Sequence, residues 1–85
     1  MEIKLKLYAT LAELLPADAE DNTVVLEVEE SVTAHEIIDR FNVPRPKAHL
    51  VLLNGIYIEP EQRDEALFKP GDTLVIFPPV AGGCV

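Results

Sequence analysis

The sequence predicts a two-layer α+β domain in which a mixed sheet of four or five short strands packs on one main helix. Three observations support that reading. Two early stretches alternate apolar and polar residues, the period of a half-buried strand. One central stretch, Thr33 to Phe41, carries apolar residues at helical spacing behind a capping box. Beyond it come further strand-like runs that meet at turn dipeptides.

The elements follow in order. Glu2 to Tyr8 places Ile3, Leu5 and Leu7 on one face and Glu2, Lys4 and Lys6 on the other. Thr10-Leu11-Ala12-Glu13 has capping-box chemistry, and Pro16 stops the short helix it would start. Ala17 to Asn22 reads as an acidic loop. Thr23 to Glu29 alternates again through Val24, Leu26 and Val28, and could pair antiparallel with the first strand. Thr33-Ala34-His35-Glu36 is the second capping box, followed by Ala34, Ile37, Ile38 and Phe41 on one helical face. Asn42 and Pro44 end this helix, and Val43-Pro44-Arg45-Pro46 should be stiff and extended. Leu50 to Leu53 runs into Asn54-Gly55, a strong hairpin signal, and then Ile56-Tyr57-Ile58. A helical turn is expected around Asp64 to Leu67. Lys69-Pro70-Gly71-Asp72 suits a type II turn, and Thr73 to Phe77 is the last strand. A ββαββ succession is the β-grasp, or ubiquitin-like, layout, although the pattern alone does not fix the order of strands in the sheet.

Totals narrow the function. At 85 residues, 48% of them hydrophobic, the chain has room for one core. Its net charge is −8, with 15 acidic against 7 basic residues scattered among them, so no basic stripe exists for a phosphate backbone. Solubility accounts for the acidity as well as steering toward a basic partner surface does. No apolar run approaches the roughly 18 residues of a membrane span. The charged, alternating start is unlike a signal peptide, and a single cysteine suits a reducing compartment, so cytoplasm is the expected location.

No catalytic constellation stands out. His35, His49 and Cys84 lack paired-ligand spacing, so no metal site is expected, and His35 should have an exposed polar role. Glu59, Glu61, Asp64 and Glu65 read as a solvated loop in preference to a paired-carboxylate site. If Leu74 and Ile76 face the helix, Val75, Phe77 and Tyr57 could form an apolar docking patch, unless loops cover it.

The unusual feature is the stretch Pro78-Pro79-Val80-Ala81-Gly82-Gly83-Cys84-Val85. Two prolines cannot donate to a ladder, so the sheet should end before them, giving a domain at 1–77 and a flexible tail at 78–85. Eight extended residues reach about 26–29 Å, enough to enter another protein's active site. Gly82 and Gly83 have no Cβ and can thread a narrow channel.

The run Phe77-Pro78-Pro79-Val80-Ala81-Gly82-Gly83 resembles the tail of the MoaD/ThiS family of ubiquitin-like sulfur carriers, and within it the MoaD branch, the small subunits of molybdopterin synthases. The opening Lys6-Leu7-Tyr8-Ala9-Thr10-Leu11-Ala12-Glu13, Asn54-Gly55 and Pro70-Gly71-Asp72 match the same family's spacing. The resemblance implies that Gly83 is adenylated by an ATP-dependent activating enzyme and converted to a thiocarboxylate, with Gly82 as its spacer. A carrier of this family would bind no cofactor and would not itself be an enzyme; ATP would belong to its partner. The sulfur would go to an acceptor such as a molybdopterin synthase large subunit, or into another sulfur metabolite. Val75, Phe77, Pro78, Pro79, Val80 and Ala81 are the candidate partner contacts.

One departure matters. Cys84 and Val85 follow the diglycine, so Gly83 offers an amide where activation needs a carboxylate. Their removal by a peptidase, such as the JAMM-type zinc peptidase that trims some family members, is expected. Two alternatives share the fold: a protein modifier conjugated through Gly83, and a non-covalent docking module for which the tail is dispensable.

Overall fold

The computed structural model describes residues 1–17 and 19–79. The first alternating stretch forms β1 (Glu2–Leu7), with Ile3, Leu5 and Leu7 buried. The second forms β2 (Thr23–Glu27), two residues shorter than the alternation suggested, antiparallel to β1 with Leu5 opposite Val24 and Ile3 opposite Leu26.

Helix α1 (Ala34–Arg40) begins at the expected capping box. The Thr33 hydroxyl accepts from the Glu36 N–H at 3.2 Å, and the Glu36 carboxylate accepts from the Thr33 N–H at 3.0 Å. It ends in a Schellman motif: Asn42 takes φ +59°, its N–H bonds to the Asp39 carbonyl, and the Val43 N–H bonds to the Ile38 carbonyl. Seven residues do not hold a helix in water unaided. Burial of Ile37 and Ile38, about 1.5–3 kcal/mol each, supplies what the cap's roughly 1 kcal/mol cannot.

Three short segments differ from expectation. Thr10 caps nothing: the chain runs as a 3₁₀ helix over Ala9–Leu14 after an extended Tyr8, with no side-chain cap. Tyr8 stays extended because its N–H bonds to the Ile76 carbonyl at 3.2 Å, and Ala9 turns the chain at φ +54°, leaving Thr10 inside the turn. The proline-rich stretch after α1 is not extended but makes a 3₁₀ turn at Arg45–Lys47, where the missing N–H of Pro46 falls in a first turn that needs no donor. The helical turn placed at Asp64 to Leu67 lies earlier, as a 3₁₀ helix at Pro60–Asp64, started by Pro60 and by Gln62 Oε1 accepting from the Glu59 N–H.

β3 (Leu50–Leu53) and β4 (Ile56–Tyr57) form the hairpin, with Asn54 at φ +52° and Gly55 at φ +84° as a two-residue primed turn requires. Gly71, at φ +86°, sits third in a turn closed by the Asp72 N–H on the Lys69 carbonyl, and β5 (Thr73–Phe77) follows.

The sheet order is β2-β1-β5-β3-β4, with the central pair β1 and β5 parallel and the other neighbours antiparallel. Helix α1 covers one face, and this is the β-grasp. The core lies between them: Ile3, Leu5, Leu7, Leu26, Val51, Leu74 and Ile76 from the sheet meet Ala34, Ile37 and Ile38 from the helix. Among the described residues no helix is long and apolar enough to cross a membrane.

Candidate functional site at the root of the tail

The alternation of β5 sends Leu74 and Ile76 into the core and leaves Thr73, Val75 and Phe77 on the outer face. Because β5 is central, its last two residues are held from opposite sides. On the β1 side the Tyr8 N–H bonds to the Ile76 carbonyl at 3.2 Å; on the β3 side the His49 N–H bonds to the Phe77 carbonyl at 3.1 Å. Pro78 and Pro79 then offer no donor, so the ladder stops with Phe77. Pro78 is half-buried and Pro79 exposed. Val80, Ala81, Gly82, Gly83, Cys84 and Val85 lie outside the described residues.

The start of β5 is fixed as firmly as its end. Asn54 Nδ2 donates to Asp72 Oδ1 at 2.9 Å, while Asn54 Oδ1 accepts from the Thr73 N–H at 2.9 Å. The other Asp72 oxygen accepts from the Lys69 N–H at 2.8 Å. Asn54-Gly55 and Pro70-Gly71-Asp72, two separate motifs in the sequence, are thus one hydrogen-bonded unit that sets the register of β5.

Around the root the outer face is apolar. The rings of Tyr8 and Phe77 stack with centroids 4.6 Å apart and planes within 8°. Leu50 lies opposite Phe77, and Leu52 sits between Val75 and Tyr57 in neighbouring strands. The expected patch of Val75, Phe77 and Tyr57 is therefore not contiguous by itself; Leu50, Leu52 and Tyr8 complete it. Val75 and Phe77 are half-buried, with the Tyr8 ring lying against Phe77, whereas Tyr57 is 42% exposed. Alternation with Lys4 and Lys6 already puts Tyr8 on the outer face; only the parallel pairing of β1 with β5 brings it beside Phe77. A groove of about 340 Å³ lined by Leu53, Ile56, Ile58 and Leu67 lies by the Asn54 turn, at the other end of β5 from the tail.

The polar candidates resolve differently. His35 is not an exposed polar residue: its side chain is 16% exposed and its Nδ1 shares a 2.7 Å hydrogen bond with Asp64 Oδ1, tying α1 to the 3₁₀ helix Pro60–Asp64. Glu59, Glu61, Asp64 and Glu65 are exposed, and Asp64 is occupied by His35. Among the described residues no group of three His, Cys, Asp or Glu side chains could hold a metal ion. Asp39 carries a carboxyl held below its usual range by the hydrogen bond from Arg45, whose guanidinium is raised in turn. That pair lies on α1 and the loop after it, away from the tail. Among the described residues the arrangement fixes the end of β5 through the Tyr8 and His49 N–H groups. Arg63, unremarked in the sequence, is buried against backbone carbonyls, and its only signal was being the one cation in an acidic stretch.

The sequence profile of the ThiS family matches residues 5–83. The chain is 38% identical over 63 residues to the molybdopterin synthase sulfur carrier subunit of Drosophila melanogaster, covering 68% of this chain and 69% of that protein. Among solved structures it is similar to small archaeal modifier protein 1 of Haloferax volcanii, at 28% identity and a TM-score of 0.65, covering 93% of this chain and 98% of that one. A second Haloferax volcanii protein, solved in solution, is 22% identical with a TM-score of 0.75 over 98% of this chain and 87% of that one, a likeness of fold alone.

Proposed function

The chain belongs to the ThiS family of ubiquitin-like sulfur carriers, and on that premise we propose that it carries sulfur as a thiocarboxylate on Gly83. The observation that supports this most directly is the extent of the family match, which runs through Gly82 and Gly83 and stops before Cys84. In this reading residues 1–77 are the docking domain and 78–85 the working tail. A peptidase, for which the JAMM-type zinc class is the candidate, hydrolyses the Gly83–Cys84 bond and frees a carboxylate. An activating enzyme then transfers AMP from ATP to that carboxylate, releasing pyrophosphate. A sulfur donor displaces AMP and leaves the thiocarboxylate. The carrier is the co-substrate, and its partners do the chemistry on Gly83. Gly82, lacking a Cβ, lets the partner's site close around the reacting carbonyl.

Phe77, Val75 and the residues from Pro78 to Ala81 are the contacts we assign to the partners, with Tyr8, Leu50 and Leu52 completing the apolar face. The Drosophila relative is by name a sulfur carrier subunit of molybdopterin synthase, so the large subunit of such a synthase is the first acceptor to test. The likeness to a small archaeal modifier protein supports a second reading, conjugation of Gly83 to lysine amines on other proteins.

The test is the intact mass of the protein isolated from its native cells with thiols preserved. The expected species ends at Gly83 and is heavier than the free acid by the difference between sulfur and oxygen. Isopeptide-linked Gly83 on lysines would favour the modifier reading instead. If every molecule keeps the Gly83–Cys84 bond, the carrier reading is lost and a docking module takes its place.

A further inference from the structure

Arg63, in the 3₁₀ helix Pro60–Asp64, is the one buried charged side chain among the described residues, at 6% exposure. A buried guanidinium is costly unless its N–H groups are met. Here the backbone meets them. Nε donates to the Ile58 carbonyl at 3.2 Å, Nη1 to the Ala48 carbonyl at 3.0 Å, and Nη2 to the His49 carbonyl and the Tyr57 hydroxyl, each at 3.4 Å. The guanidinium also lies over the Tyr57 ring, 5.9 Å from its centroid. Among the described residues no carboxylate sits within ion-pair distance of it. A cation kept inside without a counter-ion is poor economy for stability alone, and geometry is the better account of it.

The geometry leads to the tail. The Ala48 carbonyl and the His49 N–H are the two edges of a single planar amide, so a group that fixes one edge orients the other. Arg63 Nη1 grips the carbonyl edge at 3.0 Å, and the N–H edge holds the Phe77 carbonyl at 3.1 Å. A positive charge on the carbonyl also polarises the amide and strengthens its N–H as a donor.

We infer that Arg63 is a positioning residue for the tail: it sets the plane of the Ala48–His49 amide, and through that amide the direction in which the chain leaves the sheet at Phe77. Its consequence for sulfur loading rests on the carrier reading; its effect on the tail root does not.

The experiment compares Arg63→Lys and Arg63→Met with Ile38→Val, a core change on α1 that leaves the Arg63 hydrogen bonds in place, all judged at matched melting temperature in the full chain. Lysine places one charge and reaches fewer carbonyls; methionine reaches none. In Arg63→Met the His49 amide should exchange about tenfold faster than its stability loss explains, as loss of a charge-assisted hydrogen bond requires. Amides of Leu5 and Ile76 should follow global stability alone. Arg63→Lys should fall between, and it carries the comparison if Arg63→Met does not fold. In native cells the fraction bearing thiocarboxylate should fall below that of the Ile38→Val control. His49 exchange that merely tracks melting temperature overturns the inference; a loosened His49 with control-level loading overturns its consequence for sulfur loading. If wild type carries no thiocarboxylate, the carrier reading fails, and His49 exchange still decides whether Arg63 holds the root.

Discussion

Asn54 connects two turns with one side chain. Its carboxamide uses both ends, donating to Asp72 and accepting from the Thr73 N–H, while its own backbone sits at φ +52°. Asparagine tolerates that left-handed conformation better than other residues with a Cβ. Asn54→Ala should cost about 2 kcal/mol, measured by chemical denaturation, by losing the bonds and straining the turn. Asn54→Gly loses the same bonds without the strain and should cost less; equal losses would show that backbone conformation contributes nothing. Asn54-Gly55 was legible in the sequence as a turn, because the requirement for positive φ is local. Its bond to Asp72 was not, since nothing near either residue names the other.

At the scale of elements, one signal succeeded and failed in the same chain. Thr33 and Glu36 form their capping box, and Thr33→Ala should destabilise the domain by about 1 kcal/mol, read as a lowered denaturation midpoint with unchanged slope. Thr10 and Glu13 have the same spacing and form none. The difference lies in what precedes them. Nothing holds Thr33 in a strand, whereas Tyr8 is fastened to β5 through Ile76, so the turn starts at Ala9 and passes Thr10 by. A long-range backbone bond outweighed a local preference worth about 1 kcal/mol. The 3₁₀ helices at Arg45–Lys47 and Pro60–Asp64 show the converse: Pro46, in a stretch read as stiff and extended, and Pro60 each sit in a first turn where the missing N–H costs nothing.

The whole molecule closes its edges by small means. β4 has only two residues, the Glu20–Thr23 bridge occupies one end of β2, and Arg40 Nη1 donates to the Glu27 carbonyl at 3.3 Å at the other. Short and occupied edges resist pairing with a second chain. Charge is handled on the surface beside α1, where Asp39 accepts from Arg45 Nη2 at 2.9 Å and Asp64 meets His35. The hydrogen bond from Arg45 depresses the Asp39 carboxyl relative to its unfolded value. Its stabilisation is therefore present above the ordinary aspartate range and lost as pH falls through the lowered value. The pair is exposed, so its share of acid stability is small. An NMR titration should place the Asp39 midpoint below the ordinary aspartate value, and Arg45→Met should move it back up; an unmoved midpoint would show that Arg45 is not the cause.

The sequence by itself determined what depends on neighbours in the chain: the alternation of β1, β2 and β5, the helix behind Thr33, the turns at Asn54-Gly55 and Pro70-Gly71, and a diglycine set after two prolines. These rest on dihedral preferences and hydrogen bonds a few residues apart, which adjacent side chains specify. Only the tertiary structure decided that β1 and β5 run parallel at the centre, that Tyr8 and His49 hold the root of the tail, and that Arg63 stands behind His49. Those contacts join residues far apart in the chain, and the arginine gave no local sign, because its partners are backbone carbonyls that every sequence has.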